Sequence, residues 1–348
     1  MTAMLPHLTK HAPRIFLGAF FLFTSCKEES TQTKRQGTRD YPAKESPLTP
    51  AKPDSSPRNQ ATQSQASAIT PAPTEGIRFM AYNLANYLTM DRYIKDGGKK
   101  PRPKDPEEVA SLVKIIVSEK PDILGVCEIG TPEDLADLQS RLKAGGLDLP
   151  HTIHTGGVDQ TRHLAILSSY PIEANKSKRE LSYKINGVER LMGRGLLHAT
   201  IKLPGGLTHF VGLHLKSKRE MKDFDQAEIR LNEARLAREH CEALMKEDPD
   251  ARIVVYGDFN DTRKTPPLAM LMGKFKSETY LGDVFLKDSR DHLWTHFWSW
   301  QQQYARFDWV LVSPAVYPHV DMDHSYIVDP EIWNEASDHR ATLVTFKK

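Results

Sequence analysis

The sequence predicts an α/β fold of two mostly antiparallel β-sheets packed face to face, with helices outside. Short apolar strands alternate with amphipathic stretches from Gly76 onward, and strands outnumber uninterrupted strand–helix–strand units, most of all in the C-terminal part. Several of these strands also end in a carboxylate, an amide or an imidazole. Such groups are costly to bury without a partner, so those strand ends belong at the mouth of the core.

Taken in order, residues 77–82 form a first strand. Over residues 106–120, Val109, Leu112, Val113, Ile116 and Val117 recur at helical spacing behind Pro106 and two glutamates. Residues 123–126 form a second strand, and Leu135, Leu138 and Leu142 mark a further helix. Strands follow at 164–168, 195–203 and 208–213, then a long helix over 224–245 that Pro249 ends. The β-branched run 252–256 leads into Gly257-Asp258-Phe259-Asn260-Asp261. Strands at 294–298, 307–312 and 341–346 complete the fold, and no internal repeat announces itself.

The N-terminal part is of another kind. Lys10, His11 and Arg14 precede a nine-residue uncharged apolar run, 15–23, that ends at Thr24-Ser25-Cys26, the pattern of an export signal over residues 1–26. Nine residues are too few to span a bilayer. Residues 27–75 hold seven prolines, Tyr41 as their only aromatic and no valine, a composition expected of a flexible tether. The folded domain is therefore expected over 76–348. With a formal charge of only +2, affinity for a polyanion has to come from local clusters and not from the whole-molecule field. Cys127 and Cys241 are too few for a disulfide framework and are expected as buried free thiols.

Chemistry-bearing residues sit at separated strand ends: Asn83, Glu128, His214, the pair Asp258 and Asn260, Asp308, and Asp338-His339 before the last strand. If these strands share two packed sheets, their ends converge on one rim. A hard divalent cation suits that rim. Magnesium takes oxygen ligands and keeps several waters, so Glu128 with Asn83 or Asp338 would suffice; manganese and calcium are alternatives. Zinc fits less well, because the sequence has no closely spaced Cys/His set. Acid–base work falls to His214 and His339. Singly, each element has a structural explanation: Gly257 to Asp261 is also a turn sequence, and a histidine at a strand end is commonly structural.

Together the motifs resemble the endonuclease/exonuclease/phosphatase superfamily, which includes pancreatic-type deoxyribonucleases, apurinic-site endonucleases, inositol polyphosphate phosphatases and neutral sphingomyelinases. Met80-Ala81-Tyr82-Asn83-Leu84, the run from Pro121 to Glu128, His214-Leu215-Lys216-Ser217-Lys218-Arg219, the Gly257 to Asp261 run, the run from Arg306 to Val312 and Ser337-Asp338-His339-Arg340 carry the resemblance, in the family's motif order. It implies a four-layer α/β sandwich and metal-dependent hydrolysis of a phosphate ester. It further implies that Glu128 holds the cation with help from Asn83, and that Asp258 orients or deprotonates the attacking water. Asn260 and His214 would contact phosphate oxygens, His339 paired with Asp308 would bind phosphate or act as acid or base, and Asp338 would be a ligand or an orienting group. Phe23-Thr24-Ser25-Cys26 resembles the lipobox of bacterial lipoproteins, which implies acylation of Cys26 and a lipid anchor on the outer membrane, at the periplasmic or extracellular face.

For the substrate, Arg162, Arg194 and Lys216 are candidate phosphate contacts. Two basic stretches, Lys176 to Arg194 and Lys216 to Lys222, could track DNA or RNA or could be solvated charge. Trp294, Phe297, Trp298, Trp300 and Tyr304 lie near the expected rim, with alternate members expected in the core. A nuclease is the leading expectation. A phosphomonoesterase, a sphingomyelinase-like lipid phosphodiesterase and a non-catalytic surface binding protein are the alternatives. Oligomeric state is not legible.

Overall fold

The structure is a computed structural model and describes residues 75–94 and 98–348. The export signal with Cys26, and the 27–75 tether apart from Glu75, lie outside the described residues. No helix among the described residues is long and apolar enough to cross a membrane. Two six-stranded sheets form the body. In the first, the order is Val320–Ile327, Thr342–Phe346, Ile77–Tyr87, Ile123–Ile129, His163–Ser168 and His151–Thr155; in the second it is Gly282–Asp283, Asp308–Val312, Arg252–Asp258, Gly206–His214, Leu197–Leu203 and Ile172–Asn175.

Each sheet contains one parallel pair with antiparallel strands on both sides: Ile77–Tyr87 beside Ile123–Ile129, and Gly206–His214 beside Arg252–Asp258. A parallel pair needs a crossover, and a helix supplies it in both cases, Pro106–Glu119 in one sheet and Gln226–Glu247 in the other. The first helix starts cleanly because the Asp105 carboxylate accepts from the backbone N–H of Glu107 and Pro106 stands where no N–H is needed. Thr131 and Asp134 cap the next helix, Pro132–Ala144, reciprocally.

Phe79, Ile123, Ile166, Phe210, Val254, Tyr256, Val310 and Val344 fill the space between the sheets. The outer face of the first sheet is covered by Leu112, Ile116, Leu135 and Leu138, and that of the second by Ala234, Ala237, Leu268 and Leu271. The result is the expected four-layer sandwich. Each fully buried large side chain contributes about 2–3 kcal/mol, enough to hold polar strand ends at the margin. Tyr256 crosses the inter-sheet space with its ring 4.9 Å from that of Phe79, and a Cβ at Gly125 would lie 2.2 Å from the Tyr256 ring. Gly257 is at φ 126, where a Cβ would stand 2.0 Å from the Leu213 carbonyl oxygen.

Two expectations change. The edge strands His151–Thr155, Ile172–Asn175 and Val320–Ile327 are additions, and all three are partly exposed, so their apolar pattern is weak. The 294–298 strand shrinks to His296–Trp298, which forms a hairpin with Gln303–Ala305 outside both sheets and meets His339 through one backbone bridge. Trp294, Phe297, Trp298, Trp300 and Tyr304 therefore send no member into the core; Trp300 is 86% exposed. Cys127 and Cys241 are free and buried, as expected.

Away from the strand ends, three imidazoles form a chain: His240 Nε2 lies 2.9 Å from His198 Nδ1, and His198 Nε2 lies 3.1 Å from His209 Nδ1. Burial, with neighbouring rings adding to it, pushes His198 down to about 3; burial and Lys178 push His240 down to about 4. An unfolded histidine takes its proton near pH 6.5, so below that pH the unfolded chain binds protons that the fold refuses. Stability is then full above about pH 6.5 and falls toward pH 4, by about 1.4 kcal/mol per pH unit for each ring. Urea unfolding of the His240→Gln variant should show a shallower loss between pH 6 and pH 4.5 than the wild type; equal slopes would contradict this account of the chain. Gly257→Ala should lower stability by about 3 kcal/mol or more, read as a shift in urea midpoint.

Candidate active site

The two parallel pairs carry their polar residues at the same, carboxyl end, where α/β sheets commonly bind ligands. In the first sheet Asn83 is in register with Cys127, which places Glu128 one residue beyond it. The ladder then slips, and Ala85, Asn86 and Glu128 take positive φ of 47°, 63° and 62°. Non-glycine residues held there cost about 1 kcal/mol or more each, so surrounding contacts have to enforce the bend. Asn83 Oδ1 accepts from the Ala85 N–H at 3.1 Å, and the buried Lys104 ammonium donates to the Ala85 carbonyl at 3.2 Å.

In the second sheet His214, Asp258 and Asp308 are register partners on three neighbouring strands. Asp258 is the meeting point. Its carboxylate accepts from the Asn260 backbone N–H at 2.8 Å and Asn260 Nδ2 at 3.2 Å, and from Asn83 Nδ2 of the other sheet at 3.1 Å. His214 Nε2 and His339 Nε2 stand 3.6 Å and 3.7 Å from the same carboxylate. His339 Nδ1 is 2.7 Å from Asp308 Oδ2. The expected His339–Asp308 pair is present.

Burial pushes Asp258 up to about 7, against the pull of His339. Burial would also lower His339, but Asp308 and Asp258 outweigh it and hold the imidazole well above its ordinary range, hence charged. His214 is held well below its ordinary range by burial and by Arg194, hence neutral, and its Nδ1 is buried without a partner among the described residues. Glu128 is raised by burial, with Arg162 opposing. The nearest basic side chains, the Arg162 guanidinium and the neutral His214 imidazole, have Nε and Nε2 both 3.8 Å away. A buried carboxylate left without a close partner, beside Asp258 and the Asn83 amide, is a hard-oxygen donor set that fits magnesium. Among the expected metal ligands, Glu128 and Asn83 come together here. Asp338 is 58% exposed, with Oδ2 3.9 Å from His296 Nε2, and its charge adds to the burial that raises Glu128.

Asn260 is placed otherwise than expected. Its Nδ2 donates to the Leu215 carbonyl at 3.1 Å as well as to Asp258, so both its hydrogens serve to position Asp258 and the His214 loop. Asp261 beside it is held by Arg230 Nε at 2.9 Å and Lys218 Nζ at 3.1 Å. Of the candidate phosphate contacts, Arg162 faces Glu128, Arg194 is paired at 3.3 Å with Asp159, and Lys216 is half-buried with its Nζ on Ser217.

Five supporting residues have no role that the sequence predicts. Ser337 Oγ donates to the Asn83 carbonyl and accepts from the His339 N–H; Thr295 Oγ1 accepts from the N–H groups of Phe307 and Asp308. Buried Glu233 accepts from the N–H groups of Gly193 and Lys216, while Arg230 Nη1 donates to the Lys216 carbonyl, so one helix anchors the loops carrying Arg194 and Lys216. His296 packs its ring against that of His339, with centroids 4.6 Å apart. Only Ser337, two residues before His339 in its motif, had a local signal.

Residues 98–336 match the model of the Endonuclease/Exonuclease/phosphatase family. The chain belongs to this family. Its members are metal-dependent phosphoester hydrolases, and so is this protein. Solved structures with the same fold include the sphingomyelinase C of Streptomyces griseocarneus, at 12% identity and TM-score 0.52 over 79% of this chain and 100% of that one. A truncated TDP2 of Caenorhabditis elegans is similar at 17% identity and TM-score 0.51, over 79% and 98%. A mutant beta toxin of Staphylococcus aureus with bound magnesium ions is similar at 15% identity and TM-score 0.51, over 78% and 100%. No curated protein matches the chain by sequence. Identities this low carry the fold and leave the substrate open.

If Glu128 and Asn83 bind the cation, excess magnesium should raise the melting temperature of the wild type, since a ligand at ~100 times its Kd adds about 2.7 kcal/mol. Glu128→Gln should remove most of that rise. An undiminished rise in this variant would move the cation elsewhere.

Proposed function

We propose that the protein is a divalent-metal-dependent phosphodiesterase that cleaves nucleic acid outside the cytoplasm. The observation that supports this reading is the character of the rim around Asp258. Arg162, Arg194, Lys216 and Lys218 lie on the Glu128 and His214 side, and the hairpin Met90–Ile94 with Gly98–Arg102, which follows the Asn83 strand, carries Arg92, Lys99, Lys100, Arg102 and an 80% exposed Tyr93. Near His339 stand the partly exposed rings of Phe297, Trp298 and Tyr304. Cations that follow a phosphate backbone, with aromatic faces for bases, are what a nucleic-acid strand needs.

In this reading Asp258 accepts the proton of the attacking water while the water oxygen bonds to phosphorus and the ester P–O bond breaks, the leaving oxygen taking a proton from solvent to depart as the alcohol. Neutral His214 and charged His339 donate hydrogen bonds to non-bridging oxygens, where negative charge grows. Asp308 keeps the His339 ring oriented and charged. Glu128 and Asn83 would hold the divalent cation, which would supply further charge neutralisation at the phosphate. Asn260 fixes Asp258.

A second reading has its own support: Trp298 and Trp300, 47% and 86% exposed on the hairpin, would suit contact with a lipid surface and hydrolysis of a phospholipid diester. The two readings separate on a panel of plasmid DNA, RNA, sphingomyelin vesicles, inositol phosphates and a phosphomonoester, each with magnesium and with a His339→Ala control. The nuclease reading expects cleavage of DNA or RNA that falls by about a thousandfold in the variant. Cleavage of sphingomyelin alone would replace it with the lipid reading; cleavage of nothing on the panel would overturn both. We further propose export directed by residues 1–26 and anchoring through acylated Cys26 on the outer membrane, supported by the 15–23 apolar run and the Phe23-Thr24-Ser25-Cys26 match. Palmitate labelling that persists in Cys26→Ala would contradict the anchor.

A further inference from the structure

His296 takes no part in the chemistry above, yet it is built against the group that does. A backbone bridge pairs it with His339 in antiparallel register, and Phe307 stacks on its ring at 5.1 Å with the planes 27° apart. Its side chain is only 16% exposed, and Nε2 is 3.9 Å from the Asp338 carboxylate. Ligand atoms of His296, Asp338 and His339 all lie within 4.8 Å of one another. We propose that these three residues form a second cation site, one that takes zinc, and that zinc bound there shuts off hydrolysis.

The donor chemistry separates this site from the one at Glu128. Two imidazole nitrogens and one carboxylate oxygen suit a borderline-soft ion such as zinc, whereas magnesium asks for oxygen alone. Three protein ligands and an open side, where Asp338 is 58% exposed, leave room for a water as the fourth ligand. Nδ1 of His339 is taken by Asp308 at 2.7 Å, so zinc would bind through Nε2 in a carboxylate–histidine–metal arrangement, displacing the Nε2 proton of the charged ring to solvent. Zinc bonds of about 2.0–2.2 Å require the three donors to close up by roughly 1 Å. Exposed Asp338 is free to supply much of that movement. The histidines are far apart in sequence and meet only because the hairpin carrying His296 docks beside the His339 strand, so no spacing motif announces them.

Inhibition follows from shared use of one atom. His339 Nε2 faces Asp258, and a zinc ion on that nitrogen removes it from the phosphate. Magnesium would not relieve the block, because it takes oxygen donors at Glu128. This consequence rests on the hydrolytic role given to His339; the cation site itself does not.

Zinc chloride alone, titrated into the full-length protein in excess magnesium and read by calorimetry or by competition with a chromogenic chelator, tests the site directly. The wild type should bind zinc at least about tenfold more tightly than His296→Gln and Asp338→Asn, and anomalous scattering should place the ion between His296 and His339. In the same buffer, half-inhibition of His296→Gln should need about tenfold more zinc than that of the wild type. Equal zinc affinity in all three proteins, or an ion found only at Glu128, would overturn the proposal. Should His296→Gln fail to fold, Asp338→Asn, changed at an exposed position, decides alone. If no substrate is cleaved, the hydrolytic reading fails while the zinc titration still settles the site.

Discussion

A single buried carboxylate, Asp258, holds the site together. It is 2% exposed and receives hydrogen bonds from Asn83 across the gap between the sheets and from Asn260 on its own loop, while two imidazoles face it. A carboxylate taken out of water costs several kcal/mol unless such donors surround it, so the fold has to bring both sheet margins to this point or leave it unpaired. The apolar filling between the sheets fixes the distance at which that meeting occurs. Tyr256, admitted by the absence of a side chain at Gly125, is part of that spacing.

From this constraint the rest of the site follows. Each sheet has one parallel pair with a crossover helix, and the carboxyl ends of both pairs point to the same margin, giving Asn83 and Glu128 from one sheet and His214 and Asp258 from the other. The chain pays in strain at Ala85, Asn86, Glu128 and Asn260, which all sit at positive φ beside the reacting groups. The supports lie one layer out. Lys104, Ser337, Thr295, Arg230 and Glu233 hold backbone groups of the bend and the loops, so the groups facing the phosphate need not also hold up the scaffold.

Much of this was legible in the sequence because Asn83, Glu128, His214, Asp258 and Asp308 each stand at the end of an apolar strand, where periodicity and polarity change together. Two mostly antiparallel sheets were legible because strands outnumber strand–helix–strand units, and the four layers followed from the family resemblance. What was not legible depends on pairing across the chain. His296 meets His339 through a single backbone bridge, and Glu233 reaches Gly193 and Lys216 from the middle of a charged helix. The aromatic run near Trp298 looked like a core strand because its spacing fits one; it lies on a hairpin outside both sheets, where alternation no longer means burial. Asn260 shares its motif with Asp258, but motif membership does not say where its two amide hydrogens point.

The central claim, that Asp258 and Asn83 act as one unit across the two sheets, is tested most directly by a double-mutant cycle. Magnesium-dependent hydrolysis of bis(p-nitrophenyl) phosphate would be measured for Asn83→Ala, Asp258→Asn and the double variant, with melting curves to confirm that each is folded. Groups that act together are strongly non-additive, so the double variant should be no slower than the worse single variant by more than about threefold. A double variant slowed by the product of the two separate losses would show that the carboxylate and the amide work independently, and would contradict the account.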